Sequence, residues 1–404
     1  IEGKIANWPI YQAQSSLYDL ARTAYDPLML REHFRSVPPI IGYSNQLSYN
    51  GLILPLRDAA STNLVPAIVR CRVNKAEAEA IVGRIKACIG EKAYDGKTFG
   101  VIVMRSGKTG AQIQLINDLL YKALGPEVIQ SRRILCGLSP DFQGDERDVI
   151  FLSLVDSPDG DKPLRREGAG SDDGMKKRWN VAVSRARDQI WAVYSFDPAT
   201  QLQEGDIRKT FFDYLSDLEK NGCREEDSGL ISELASEVAD GLEEKGFTVH
   251  KGYRIGAFDL DLVVEENGKK VIVECDGDAG TPIPNAVIAR MECQTILERA
   301  GWQFVRVRGG AWSRDPESGL WWLMSQLAEK GVRPSAEEKS HETEKPADLV
   351  TEVQSKAETF TKTLRVDSDA AEAKRLKRER IIAELRKLGA EVDSEVKKSS
   401  RFAG

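Results

Sequence analysis

The hydrophobic pattern between residues 70 and 196 alternates between short apolar runs and longer segments with helical spacing. A buried-strand run at Phe99–Met104 is followed by a helix near Ala111–Leu124. Asn74 is expected to cap an earlier helix, with Glu77 at its third position. Further apolar runs predict strands at Ile134–Leu138, Val149–Val155 and Ile190–Ser195. This alternation predicts an α/β domain with a mostly parallel sheet.

A second pattern begins near Arg224 with an amphipathic helix that ends at Gly246. A strand pair, a second helix and the strand Gln303–Val307 follow, and a polar stretch without periodicity begins after Gly331. Near the end, a charged helix with a thin apolar stripe contains the basic run KRLKRER. Its two interpretations are a contact with phosphates and a solvated helix face, and charge runs in general favour the second. We therefore predict four parts: a first domain at 1–222, a second at 225–332, a linker at 333–367 and a helical tail at 368–404.

Composition narrows the class of protein. Hydrophobic residues make up 41% and charged residues 30%, and no apolar run approaches membrane-spanning length, so we expect no membrane partner. Six scattered cysteines without a CxxC pair, together with three histidines, argue against a zinc site and a disulfide framework, and predict a cytoplasmic setting. The first residue is Ile1, and we expect the chain to be a piece of a longer protein.

A hairpin with acidic side chains is predicted where Asn267-Gly268 separates two runs that alternate apolar and polar residues. If these two residues form the loop, Asp261 lies directly opposite Glu274. In the same register Asp259 lies opposite Asp276. Because side chains alternate between the faces of a strand, all four carboxylates then share one face.

Like charges on opposed strand positions destabilise a sheet, so four facing carboxylates need a compensating charge. Mg²⁺ (or Mn²⁺) supplies it, since hard divalent cations prefer carboxylate oxygens and water. The alternative is an exposed hairpin whose acids splay apart in solvent.

The run FDLDLVV, then VIVECDG, then QTILERAGWQFVRVRG, after a leading helix, resembles the restriction-endonuclease-like PD-(D/E)XK superfamily. Within it, the pattern is similar to the very-short-patch-repair-like domains at the ends of bacterial helicases. The resemblance implies that Asp261 and Glu274 bind the metal. It places Asp276 where most of the superfamily has a lysine. Asp276 is therefore taken as a further candidate for metal binding and catalysis. Gln294 matches a polar position that orients water or phosphate.

Two positions depart from that pattern. The leading helix usually carries an acid where this chain has Ala235, and Glu233 or Glu237 is the substitute, with Glu237 taken as the catalytic candidate. An aromatic-histidine pair is replaced by Ala279-Gly280. The implied chemistry is metal-assisted phosphodiester hydrolysis, and the departures leave open an inactive nuclease fold that only binds DNA.

Four ordered blocks in the first half resemble the second RecA-like domain of superfamily 1 DNA helicases: LREHFRSVPPIIGYSN, FGVIVMRSGKTGAQIQLI, SPDFQGDERDVIFLSLV and KRWNVAVSRARDQIWAVYS. The resemblance implies that ATP is bound by Arg35, Gln143, Gly144, Glu146 and Arg185. Arginine suits the γ-phosphate because its planar fork is always charged, which also makes Arg185 a catalytic candidate. Glu146 is expected to accept from a ribose hydroxyl.

A phosphate-binding loop is absent from the sequence. RSGKTG resembles one, but the required earlier glycine falls on Ile102. We therefore expect this chain to carry only the arginine side of an ATP site, with the rest on a missing N-terminal domain or partner chain.

The fold class is thus predicted as α/β: a RecA-like parallel-sheet domain, then a restriction-endonuclease-like domain and a helical tail. The leading hypothesis is the C-terminal portion of an ATP-dependent DNA helicase–nuclease. The alternative hypotheses are a DNA-binding module with an inactive nuclease fold and an RNA helicase, which the attached nuclease-like domain disfavours.

Overall fold

A computed structural model gives the structure of the chain and describes residues 16–58, 62–74, 76–104, 109–156, 160, 162–168, 173–221, 231–256, 258–266, 268–276, 284–334 and 349–365. The predicted helical tail at 368–404 and the Ala279-Gly280 pair lie outside these residues. None of the described helices is long and apolar enough to cross a membrane.

Five parallel strands form the sheet of the first half, which confirms the α/β prediction. The strands are β3 (Ile68–Arg72), β4 (Phe99–Val103), β5 (Leu135–Gly137), β6 (Arg147–Ser153) and β7 (Ala186–Tyr194). Their order across the sheet is β3-β7-β6-β4-β5. Apolar runs form these strands because helices cover both faces, so that every residue of β4 is buried.

Two hydrophobic cores fill the space between this sheet and its helices. One core lies under α2 (Pro38–Ser48), α5 (Asp173–Ser184) and α7 (Ile207–Asn221). The other lies under α3 (Glu77–Ile89) and α4 (Thr109–Ser131). Shorter elements complete this half: α1 (Leu17–Ala21), α6 (Pro198–Gln201), 3-10 turns at Lys92–Tyr94 and Ser139–Phe142, and a parallel pair of β1 (Glu32–His33) with β2 (Leu54–Pro55).

The predicted cap of α3 is wrong. The residue that precedes this helix is Ala76, and no side chain caps the helix. Glu77 instead turns inward, where its Oε2 atom accepts hydrogen bonds from the Ser153 hydroxyl and the Val155 backbone N–H, each 2.9 Å long. Its carboxylate therefore binds polar groups at the end of β6 and does not cap its own helix.

A further helix, α12 (349–365), occupies part of the stretch predicted to be a linker. It packs against α3, and its Val353, Ala357 and Leu364 are buried in the core beneath that helix. Gly83 of α3 permits this close approach, because a Cβ atom there would lie 2.6 Å from the Thr361 hydroxyl. Leu349, Val350 and Phe360 pack against the same core, so an apolar stripe at helical spacing joins α12 to α3.

The second half contains a four-stranded sheet with the order β11-β10-β9-β8. β8 (Thr248–Ile255), β9 (Phe258–Glu266) and β10 (Lys269–Asp276) are antiparallel neighbours, and β11 (Gln303–Arg308) is parallel to β10. α8 (Glu233–Glu244), α10 (Gly309–Trp312) and α11 (Pro316–Glu329) cover one face, and α9 (Pro284–Arg299) lies on the other.

The predicted hairpin register is confirmed. Lys269 pairs with Glu266, and the ladder continues in step to the pair of Val273 with Leu262. Gly268 has a φ of +74°, which suits a tight turn, whereas Asn267 lies outside the described residues.

The two halves meet through the segment after β2. Leu56 is fully buried in the core that contains Tyr253, Leu260 and Trp302 of the second half. Its backbone carbonyl accepts a hydrogen bond of 2.8 Å from the Trp302 indole N–H. One residue of the first half is therefore part of the core on the α9 side of the second sheet.

Candidate nuclease centre and arginine cluster

Asp261 and Glu274 lie side by side where the β9–β10 ladder ends. The last pair of the ladder is Leu262 with Val273, so these two acids are the next residues in register. The Asp261 Oδ2 atom accepts a hydrogen bond of 2.8 Å from the backbone N–H of Cys275. This bond fixes the Asp261 carboxylate against β10, beside Glu274.

The Glu274 side chain is nearly enclosed, since the residue is 8% exposed. Burial and then the charge of Asp261 raise the pKa of Glu274 to about 7, and Arg290 and Arg306 partly offset the rise. Its Oε1 atom is buried and makes no hydrogen bond within the described residues. A buried carboxylate oxygen without a partner is unfavourable unless a proton or a cation compensates for it. This oxygen is therefore suited to a cation.

Asp259 does not join this pair, so the prediction of four carboxylates on one face is wrong. Leu262 packs in the core under α8, whereas Leu260 packs in the core under α9, so the alternation of β9 breaks at Asp261. The β8–β9 ladder omits the corresponding position on β8, Gly252, whose φ is +65°. Asp259 is left exposed beside the neighbouring strand.

Asp259 pairs with an arginine of β8, the strand on the other side of β9, and not with Asp276 of β10. Arg254 of β8 pairs with Asp259, with Nε 2.7 Å from the Asp259 Oδ1 atom. The pairing lowers the pKa of Asp259. The Asp259 charge is thus neutralised locally and away from Glu274.

Asp276 is bound by two arginines. The Arg306 Nη1 atom donates to both Asp276 oxygens, at 2.8 and 2.9 Å, and Arg290 lies 3.3 Å from Oδ1. Arg306 also donates through Nη2 to the Gln294 side-chain oxygen at 2.8 Å. The predicted role of Gln294 at the site stays a prediction, but its carbonyl group is directed at a protein cation.

Glu237 lies on the other side of the sheet from Glu274. Its helix, α8, packs on the core opposite α9, and its Oε2 atom accepts a hydrogen bond of 3.2 Å from the Trp312 indole. Ala235, at the position where related domains carry an acid, is fully buried in that core. The described contacts therefore do not bring an acid of α8 to Asp261 and Glu274.

Two carboxylates, and not the predicted three, are placed to bind a divalent ion. Across the part of the chain that the structure describes, no three His, Cys, Asp or Glu side chains cluster closely enough to hold a metal. Asp276 is not placed as a third ligand, because its oxygens already accept from arginine. Asp261 and Glu274 remain, and Mg²⁺ is commonly bound by one or two carboxylates with water and substrate phosphate completing the shell.

In the first half, Arg35, Glu146 and Arg187 form an ion-pair cluster. The Arg35 Nε atom lies 2.6 Å from Glu146 Oε2, and Arg187 lies 2.9 Å from Glu146 Oε1. These residues line a cleft of about 430 Å³ together with residues 32–34. Two arginines that share one partly exposed carboxylate are suited to bind an anion that enters the cleft.

Arg185 lies beside this cluster at the start of β7. Its guanidinium donates to the backbone carbonyls of Val181, Phe142 and Asp145 at 3.2–3.4 Å. Burial, followed by the charge of Arg35, lowers its pKa. The structure thus brings Arg35, Glu146 and Arg185 together, and their expected roles at a nucleotide stay predictions.

Gln143 and Gly144 follow the 3-10 turn that ends at Phe142, and both are exposed. Gly144 has a φ of +83°, and nothing lies within 4 Å of the position a Cβ atom would take. Its conformation, and not crowding, therefore favours glycine, and the backbone there is open to a ligand.

Several neighbours of these sites were missed from the sequence. Arg57 donates to the backbone carbonyls of Arg35 and Arg187, at 2.8 Å each, and pairs with the buried Asp188.

Arg306 was missed beside Asp276 and Glu274 in the second half. The alternating run QFVRVRG indicates which face of its strand Arg306 occupies. It does not indicate that this strand pairs with β10, because that pairing is not a local feature of the sequence.

His33 carries a half-buried imidazole beside the arginine cluster. Burial lowers its pKa to about 4, and the charges of Arg35 and Arg185 add to the effect. The backbone N–H of Ser36 donates to its Nε2 atom at 3.0 Å. His33 is therefore a neutral acceptor that supports the turn leading to Arg35.

Comparison with known proteins finds that part of each half is similar to a protein-family model. Residues 66–196 match the family model AAA_12, an AAA domain, and residues 235–330 match the family model REase_MTES_1575. No curated protein matches the chain.

Among solved structures, the C-terminal domain of a possible DNA helicase from Lactobacillus plantarum WCFS1 matches at 15% identity. The match covers 42% of this chain and 94% of that one, with a TM-score of 0.25, a score too low to show a shared fold. The two family matches agree with the resemblance seen in the sequence, and the chain therefore joins an AAA_12 helicase-like domain to a REase_MTES_1575 nuclease-like domain.

Proposed function

We propose that this chain is the C-terminal portion of an ATP-dependent DNA helicase–nuclease, in which the second half hydrolyses phosphodiester bonds with Mg²⁺ or Mn²⁺. The observation that carries the nuclease proposal is the buried, unpartnered Glu274 Oε1 atom beside Asp261. Two adjacent carboxylates, one of them enclosed, are stable together when a divalent cation balances their charge.

In this proposal Asp261 and Glu274 hold the ion. When bound, the ion supplies positive charge that attracts the scissile phosphate and stabilises the leaving oxygen. The Cys275 N–H holds Asp261 in place, and the enclosure of Glu274 keeps competing water from its inner oxygen. DNA is the proposed substrate because helicase-like and nuclease-like domains are joined in one chain.

The test is cleavage of labelled single- and double-stranded DNA by the whole chain in Mg²⁺ or Mn²⁺. Asp261→Asn and Glu274→Gln should each lower cleavage by roughly a hundredfold or more, since loss of a key electrostatic contact typically has this effect. Asp259→Asn is the matched control, because it removes a nearby carboxylate that pairs with Arg254. Equal loss in all three variants would contradict the proposal.

The alternative is a DNA-binding module with an inactive nuclease fold. Ala235 in place of an acid, and the Glu237 carboxylate bound to Trp312, favour this alternative. It is supported if the chain binds DNA but does not cut it, and if Mn²⁺ affinity does not change in Asp261→Asn.

For the motor half, we propose that Arg35 and Arg185 bind the phosphates of ATP, and that Glu146 together with Gln143-Gly144 contacts the rest of the nucleotide. The contacts of Arg35 support this, because its guanidinium pairs with the partly exposed Glu146, for which a phosphate group can substitute, and Arg185 lies close to both. The remainder of the ATP site is assigned to an upstream domain or partner chain. ATPase activity of this chain by itself would contradict the divided site.

A further inference from the structure

Arg306 of β11 lies directly beside Glu274. The two residues are partners in the parallel β10–β11 ladder, so their side chains project from the same face of the sheet. This is the face on which α9 packs, since Ile272 of β10 and Leu297 of α9 share its core. A cation therefore stands next to the enclosed carboxylate, although no lysine lies in the ECDG run of β10.

The Arg306 guanidinium is held from two sides. Asp276 accepts two hydrogen bonds from its Nη1 atom, and Gln294 accepts one from its Nη2 atom. Gln294 is itself fixed, because its amide donates to Glu298 at 2.8 Å. Among the described residues, Nε and one Nη2 hydrogen of Arg306 have no acceptor, and the side chain is 31% exposed. The group is thus oriented and still open to a ligand.

We propose that Arg306 binds the phosphate of the nucleic-acid strand that lies against Asp261 and Glu274, and that Asp276 and Gln294 orient it for this contact. This inference rests on the proposed nuclease function, and it assigns to Asp276 the role of an anchor for an arginine. A planar guanidinium matches two phosphate oxygens and remains charged throughout catalysis. It can therefore stabilise the negative charge that develops on the phosphate.

Arg290 is the competing cation and is less well placed. It reaches Asp276 at one distance of 3.3 Å, and its side chain is 53% exposed. Arg306 has three shorter hydrogen bonds and is the residue in register with Glu274. A fixed donor contributes more to catalysis than a mobile one, because it loses less freedom when substrate binds.

The experiment compares Arg306→Gln, Arg306→Lys and Asp276→Asn in the whole chain. Cleavage is measured under single-turnover conditions in Mn²⁺, and Mn²⁺ affinity is measured separately by electron paramagnetic resonance without DNA. Arg299→Gln is the matched control, because it removes an exposed arginine at the far end of α9.

We expect Arg306→Gln to lower the cleavage rate by about a hundredfold or more while Mn²⁺ affinity is not weakened. Arg306→Lys should recover part of the rate, since it restores the charge without the fork. Asp276→Asn should lower the rate by a smaller factor and leave Mn²⁺ affinity close to that of the wild type. Wild-type cleavage by Arg306→Gln overturns the proposal. So does a loss of Mn²⁺ affinity in Asp276→Asn as large as the loss in Asp261→Asn.

If the wild-type chain does not cut DNA, the nuclease proposal fails but the phosphate contact can still be tested. DNA affinity is then measured in Mg²⁺ over a range of salt concentrations. Loss of one phosphate contact in Arg306→Gln should reduce the slope of log K against log[salt] by about 0.7–0.9 relative to the wild type and to Arg299→Gln. An unchanged slope contradicts the proposal.

Discussion

Leu56 belongs to the first half of the chain, yet it is fully buried in the core of the second half with Tyr253, Leu260 and Trp302. Replacing it with alanine removes apolar contacts and leaves a cavity between the two halves. Substitutions of this kind in well-packed cores cost about 2–5 kcal/mol. The cost should be concentrated in the α9 side of the second sheet, because that is where the Leu56 side chain packs.

Hydrogen exchange followed by mass spectrometry can localise this effect. A loss of about 3 kcal/mol corresponds to roughly a hundredfold faster exchange for amides that exchange by opening this core. Peptides that cover residues 253–263 and 297–304 should show the acceleration, and those of the five-stranded sheet should show much less. The matched control is Leu52→Ala, since Leu52 is 41% exposed in the same segment.

Unchanged exchange at 253–263 in Leu56→Ala would refute the reasoning, because it would mean that the two halves do not share this core in solution. The result matters for function as well. The next residue, Arg57, donates to the carbonyls of Arg35 and Arg187. Leu56 and Arg57 therefore connect the core of the second half to the Arg35–Glu146–Arg187 cluster through consecutive residues.

Three other changes have defined outcomes. Burial raises the pKa of Glu77 from 4.5 to about 7, so the wild type should lose about 3 kcal/mol of stability relative to Glu77→Gln as the pH rises from 4.5 to 8. Urea unfolding across that pH range should give parallel curves if this interpretation is wrong. Mg²⁺ at about a hundred times its Kd should stabilise the wild type by about 2.7 kcal/mol and should not stabilise Glu274→Gln in thermal unfolding; equal stabilisation of both would exclude Glu274 as a ligand. Val353→Asp places an unpaired charge in a fully buried position of α12 and should make residues 349–365 sensitive to limited proteolysis, whereas an exposed neighbour, Glu352→Ala, should not.

The sequence was most informative where structure depends on neighbouring residues. The Asn-Gly turn and the alternation on either side were enough to place Asp261 beside Glu274, because hairpin register is a local property. The apolar runs of the parallel sheet were recognised for the same reason. Asp259 was misplaced because the alternation of β9 breaks opposite Gly252 of the adjacent strand. The pattern of residues within β9 does not indicate this break.

Features set by distant contacts were not predicted. α12 was missed although its apolar side chains recur at helical spacing, because the surface that buries them belongs to α3, where Gly83 lies more than 260 residues earlier in the chain. Arg306 was missed because it meets Glu274 only through a parallel pairing across α9. Arg57 was missed because its acceptors are backbone carbonyls, which have no signature in the sequence.

The charges around Glu274 suggest an order of binding at the nuclease centre. Above pH 7, where Glu274 is ionised, Asp261, Glu274 and Asp276 face two cations, Arg290 and Arg306, so the metal-free centre has one more negative than positive charge. A divalent ion would reverse that balance and leave one net positive charge beside an oriented guanidinium. Because a phosphate is repelled in the first state and attracted in the second, DNA should bind at this centre more tightly after the ion than before it. DNA affinity of the wild type should thus rise with Mg²⁺, and Glu274→Gln, which removes one negative charge, should bind DNA more tightly than the wild type when metal is absent.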